Sequence, residues 1–128
     1  MWEEAINEFK ANPIFGVGLG NFAGGVGYFP HNILLEILAE LGIVGLFMFS
    51  WMFYLNIKKA IEFIRANQDR DVNILMKISI VLLIYHLTEA MFSGHITNQT
   101  QLFMSMAMVV SVLQIREKGE ILWPHQGR

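Results

Sequence analysis

The chain has 128 residues, the length of one domain or part of one, with 54% hydrophobic and 16% charged side chains. A net charge of −2 leaves no electrostatic footprint for nucleic acid, and the absence of cysteine excludes disulfides and thiolate metal sites. Mean hydropathy of +0.44 would also fit a buried soluble core. The clustering of the charges, which leaves long apolar stretches between them, points instead to a membrane.

The N-terminus, Met1-Trp2-Glu3-Glu4, has neither a basic region nor an apolar one, so no cleavable signal peptide is expected. From Trp2 to Ala11, Trp2, Ala5, Ile6 and Phe9 recur on one helical face, which predicts a short amphipathic helix. Asn12-Pro13 should end it, because the residue before proline is pushed out of helical geometry. Six glycines follow, at 16, 18, 20, 24, 25 and 27. Gly16-Val17-Gly18-Leu19-Gly20 is not read as a dinucleotide loop, since neither a strand before it nor a helix directly after it supplies the required βαβ setting. It is expected to fold an outer loop back onto the membrane.

A helix should begin at Ile33, with Asn32 as its N-cap and His31 just outside the first turn. Asn32, Glu36 and Glu40 recur every four residues as a polar stripe on an otherwise apolar helix. Two readings stand side by side: the stripe lines a polar cavity with His31 at its rim, or His31 and the glutamates sit in solvent above the hydrocarbon.

Three apolar stretches approach the roughly 20 residues that cross a bilayer. The first, Leu41 to Ile57, is uncharged; the second, Val72 to Phe92, carries Lys77, His86 and Glu89; the third is strongly apolar from Leu102 to Ile115. Lys58, Lys59, Arg65 and Arg70 separate the first two spans, and Arg116, Lys118 and Arg128 follow the third. Residues 1–40 hold only Lys10, and residues 93–101 hold no Lys or Arg. Cytoplasmic loops collect basic residues, so residues 1–40 are expected outside and the C-terminus in the cytoplasm.

His86 and Glu89, three residues apart, share a face near the outer end of the second span. A buried hydrogen-bonded pair between helices is the expected role, since a metal site would need further ligands and only His31 and His95 are obvious additions. Residues 97–101 form a polar head that lines a cavity or sits at the interface. Met104, Met106 and Met108 are expected to serve packing, and Trp51, Tyr54 and Trp123 to mark the cytoplasmic interface.

The expected architecture is a single all-α integral membrane unit. Residues 1–40 form the outer loop and helix, 41–115 hold about three transmembrane helices, and 116–128 form a cytoplasmic tail.

Two spaced motifs sharpen this reading: Asn12-Pro13-x-x-Gly16-x-Gly18-x-Gly20-Asn21-Phe22 and His31-Asn32-x-x-Leu35-Glu36-x-x-x-Glu40-x-Gly42-x-x-Gly45. Together they resemble the signature of the O-antigen ligase and polymerase family of bacterial inner-membrane proteins. The resemblance implies a GT-C-like polytopic fold and a glycosyltransferase that needs no metal or cofactor. It implies transfer or polymerisation of undecaprenyl-diphosphate-linked glycan onto an acceptor sugar hydroxyl outside the cytoplasm. Carried onto this chain, the family's histidine is His31, the expected catalytic base. Asn32, Glu36 and Glu40 are the candidate substrate-binding residues. Imidazole suits proton transfer near neutral pH.

Family members have many more spans, and arginines in earlier outer loops are thought to hold the diphosphate. This sequence has no arginine on its proposed outer side, so it resembles the C-terminal part of such an enzyme. The donor site is expected in N-terminal spans outside it, which would be a partner of this segment. The rival expectation is a non-catalytic membrane interaction or transporter fragment, with His86, Glu89 and the polar head of the third span along its path.

Overall fold

A computed structural model describes residues 2–22, 30–66, 69–92, 96 and 99–122, with side chains of the last helix described to Ile115. His95, Asn98, Trp123 and the glycines at 24, 25 and 27, singled out in the sequence, lie outside the described residues. The described residues form α1 (Trp2–Ala11), α2 (Ile33–Ala66), α3 (Arg70–Ala90) and α4 (Thr100–Leu122), with no strand among them.

Helices α2 and α3 are long and apolar enough to cross a membrane, whereas the apolar part of α4, Thr100–Ile115, is shorter. At 1.5 Å per residue that part reaches about 24 Å, short of the roughly 30 Å of hydrocarbon. Two spans therefore meet the length expected of three.

The main core lies where α2, α3 and α4 meet, with Ile37, Phe63, Met76, Leu83, Leu102 and Val109 buried in it. Helix α2 runs past Lys58-Lys59 to Ala66, further than the apolar stretch alone suggested. Ala60 and Phe63 explain the extension: both are buried in that core, and the charged Lys58, Lys59, Glu62 and Arg65 around them stay exposed. Asp69 starts α3 by accepting hydrogen bonds from the Asp71 and Val72 amides, which satisfies two otherwise orphaned donors. Of the alternating methionines, Met106 is buried but Met104 stands 65% exposed, so packing inside this chain accounts for only part of the row. Many apolar side chains on α2 and α3 likewise remain exposed, among them Phe47, Met48, Ile78 and Val81. Such helices need lipid or further protein around them.

Helix α1 ends at Ala11, where Asn12-Pro13 predicted it. Its buried face is narrower than its periodicity suggested, because Ala5 is buried while Trp2 and Ile6 are exposed. Ala5 joins Phe22 and Ala39 in a second, smaller core, with Val17 and Leu35 packed against it.

The feature that ties these parts together is a break in α2. Gly42 has φ 65° and ψ −161°, far from helical values. In an unbroken helix the amides of residues 43 and 44 would bond the carbonyls of 39 and 40. Here the preceding loop takes both sides of the gap. The Val17 amide donates to the Ala39 carbonyl at 2.9 Å, and the Gly18 amide to the Glu40 carbonyl at 2.8 Å. On the other side, the Ile43 amide donates to the Pro13 carbonyl at 2.9 Å and the Val44 amide to the Ile14 carbonyl at 3.3 Å. Four bonds to the loop thus satisfy the two carbonyls and two amides that the break separates.

This close approach explains two of the motif glycines. Gly16 and Gly42 both have positive φ, and a Cβ on either would collide with backbone: that of Glu40 for Gly16, that of Ile14 for Gly42. A Cβ at Gly45 would strike the Leu41 side chain, one turn back across the break.

Candidate functional site

The second motif divides into residues used by the fold and one left over. The Asn32 Oδ1 accepts from the Leu34 and Leu35 amides, each at 3.1 Å, so the expected N-cap is present. Glu36 is 1% exposed, and both its carboxylate oxygens lie within hydrogen-bonding reach of the Ile96 amide, at 3.0 and 3.1 Å. That contact holds the segment between α3 and α4 against the start of α2. Glu40, fully buried, accepts from the Gly20 amide through Oε2 at 2.9 Å. Its Oε1 has no hydrogen-bond partner among the described residues.

Both glutamates of the four-residue stripe are thus buried and do not stand in solvent. Burial against protein makes two carboxylates tolerable on a helix that is otherwise apolar enough to cross a membrane.

His31 differs. It is exposed, and its side chain makes no hydrogen bond to a described residue. Its backbone has φ 50°, the only positive φ outside glycine among the described residues. For a residue with a Cβ that conformation costs of order 1–3 kcal/mol and must be held by its surroundings. Two anchors hold it. On one side the Trp2 indole donates to the carbonyl of buried Pro30 at 2.9 Å, and on the other Asn32 is locked to the first turn of α2. The imidazole is therefore presented at the end of the bundle where α2 begins. The Glu36–Ile96 contact brings the α3–α4 connection to the same end.

The first motif serves the same assembly. The Asn21 side chain donates to the Val17 carbonyl at 2.9 Å and steadies the glycine turn, and Phe22 fills the small core.

His86 and Glu89 do pair, with Nδ1 3.2 Å from Oε2. Both residues lie on α3, so this is a contact within one helix and not the bridge between helices that was expected. Among the described residues, no group of three or more His, Cys, Asp or Glu side chains is placed to hold a metal ion. Of the polar head of the third span, Gln101 lines a groove between α3 and α4, Gln99 is buried and Thr100 is exposed, while residues 97 and 98 lie outside the description.

Sequence reasoning missed the break at Gly42, the Trp2–Pro30 anchor and the link from Glu36 to Ile96. A signal for the first was present: a glycine two residues after a carboxylate, within an apolar run that offered no other reason for it.

The described residues define an all-helical protein with two candidate spans and a histidine displayed beside a helix whose break a glycine loop fills. Residues 1–50 match the family model described as O-Antigen ligase, and this bears out the resemblance read from the two motifs. The match and the apolar helices together support a membrane protein. No curated protein and no solved structure gives a significant match.

Proposed function

We infer that this chain is part of a membrane glycosyltransferase that joins a lipid-linked glycan, carried on undecaprenyl diphosphate, to the hydroxyl of an acceptor sugar. His31 is the general base. It takes the acceptor hydroxyl's proton as that oxygen attacks the anomeric carbon, and the diphosphate departs with the glycosidic bonding pair. General bases of this kind contribute typically 10²–10⁴-fold. The departing diphosphate needs cationic partners, which this reading assigns to spans N-terminal to the segment.

One observation carries the assignment. Of the three ionisable side chains in the two motifs, Glu36 and Glu40 are buried and bonded to backbone amides, while His31 alone is exposed. Glu36 and Glu40 then act on substrate only through the shape of the loop that they hold, and Asn32 fixes the direction in which the imidazole leaves the helix. The basic residues Lys58, Lys59, Arg65 and Arg70 gather toward the opposite end of α2 from His31. That distribution supports an outer location for residues 1–40 in the bacterial inner membrane and a cytoplasmic C-terminus.

The test uses His31→Gly in the complete protein in cells, because glycine accepts the left-handed backbone and removes only the imidazole. Transfer of glycan to its acceptor should fall about 10²-fold or more at an unchanged membrane level. Unchanged transfer would remove His31 from the chemistry. This segment contributes no cysteine, so a single cysteine at position 31 can be probed once any cysteines elsewhere in the complete protein are replaced. A membrane-impermeant maleimide added from outside should label it, and labelling from the cytoplasmic side alone would overturn the orientation.

A further inference from the structure

A second polar feature stands apart from His31, on α3 and α4. Helices α3 and α4 leave a 530 Å³ groove between them, lined by Leu82, His86, Gln101, Met104, Ser105 and Met108 among others. Its size falls within the roughly 300–1,000 Å³ of ordinary ligand sites. The lining is graded along the helices. His86, four residues before the end of α3, and Gln101, the second residue of α4, stand at the end shared with Ile96. Deeper along both helices the walls are Leu82, Met104 and Met108, and from Gln101 to Ser111 the groove covers about 15 Å of α4.

The polar end is pre-organised. With the carboxylate ionised and the imidazole neutral, the 3.2 Å contact between Glu89 Oε2 and His86 Nδ1 assigns the ring hydrogen to Nδ1, because a carboxylate only accepts. Nε2 then carries a lone pair and can only accept. A group that satisfies it must donate, as a hydroxyl does and as a phosphate diester or a quaternary ammonium does not. The Glu89 carboxylate beside it further disfavours an anion. The Ser105 and Ser111 hydroxyls donate to the carbonyls of Leu102 and Ala107, so neither competes for Nε2.

We propose that this groove binds a single-chain amphiphile with a hydroxyl-bearing, sugar-like headgroup, the chain lying along Met104 and Met108 and a headgroup hydroxyl donating to His86 Nε2. His86 is a binding residue and Glu89 positions it. A bare hydrocarbon chain would fill the deep part and leave the acceptor unmatched, so polarity selects the headgroup.

Photolabelling of the full chain in nanodiscs tests this. Two probes share one diazirine-bearing alkyl chain: one is an alkyl glucoside, the other an alkylphosphocholine. The glucoside should label residues 104–108 roughly three- to tenfold more than the phosphocholine, the ratio that one net hydrogen bond provides. His86→Phe, which keeps the ring volume, and Glu89→Gln should each abolish or reduce that preference while the phosphocholine labelling stays constant. The constant labelling also shows that the groove is intact in each variant. Equal labelling by the two probes in the unmodified chain would overturn the proposal in favour of plain lipid contact. Absence of labelling by either would overturn it in favour of a neighbouring helix seated there. The His31→Gly chain should retain the full preference, which separates this site from the proposed transfer reaction.

Discussion

The segment from α1 to the break in α2 and the hairpin of α3 and α4 are held together by different physics. In the first, backbone meets backbone: four loop-to-helix hydrogen bonds, the Glu40 carboxylate on the Gly20 amide, and two glycines with no room for a Cβ. In the second, apolar side chains such as Leu83, Leu102, Met106 and Val109 fill a common core. Hydrogen-bonded close approach specifies particular residues at particular positions, whereas apolar packing accepts many side chains of suitable volume. The contrast explains why two motifs were legible before residue 46 and none after it. It also accords with a family match that ends at residue 50.

Breaking the first region should be the more damaging. Gly42→Ala and Gly16→Ala each combine a strained φ with a collision against backbone, and destabilisation of several kcal/mol is expected, beyond the 1–3 kcal/mol of strain alone. Thermal unfolding of the detergent-solubilised protein measures this. Gly20→Ala makes a sharp control, since its φ is also positive at 77° but nothing lies within 4 Å of the added Cβ; its cost should be only about 1 kcal/mol.

Glu36→Ala comes next. It leaves the buried Ile96 amide without this acceptor, at about 1–3 kcal/mol. Proteolysis in the connection between α3 and α4 should accelerate, and an unchanged cleavage rate would show that the contact does not hold that connection. Asn32→Ala removes a cap and should cost about 1 kcal/mol, read as a small fall in thermal midpoint. Smallest of all, Val81→Leu on the exposed face of α3 should fall within about 0.5 kcal/mol. If it instead matched the glycine variants, the division between the two regions would fail.

Helix positions and one cap were readable because they depend on neighbours in sequence: Asn12-Pro13 ended α1, and Asn32 opened α2. What the stripe of Glu36 and Glu40 does was not readable, because its partners, Ile96 and Gly20, lie 60 and 20 residues away. Periodicity shows that two carboxylates share a face and cannot show what meets that face. The same limit applied to α2, whose amphipathic extension beyond Lys58 depends on burial of Ala60 and Phe63 in the shared core. His31 was legible as a residue type at a helix mouth. Its left-handed backbone was not, since that depends on the Trp2 indole 28 residues earlier gripping Pro30.

The interruption at Gly42 also fixes where this molecule can be cut and rejoined. A chimera spliced at Asn32 would deliver a loop without the carbonyls and amides that receive it, and a helix with a gap that nothing fills. The natural seam for exchange lies beyond Val44, inside the apolar run of α2, so residues 2–22 and the first turns of α2 should be inherited as one cassette.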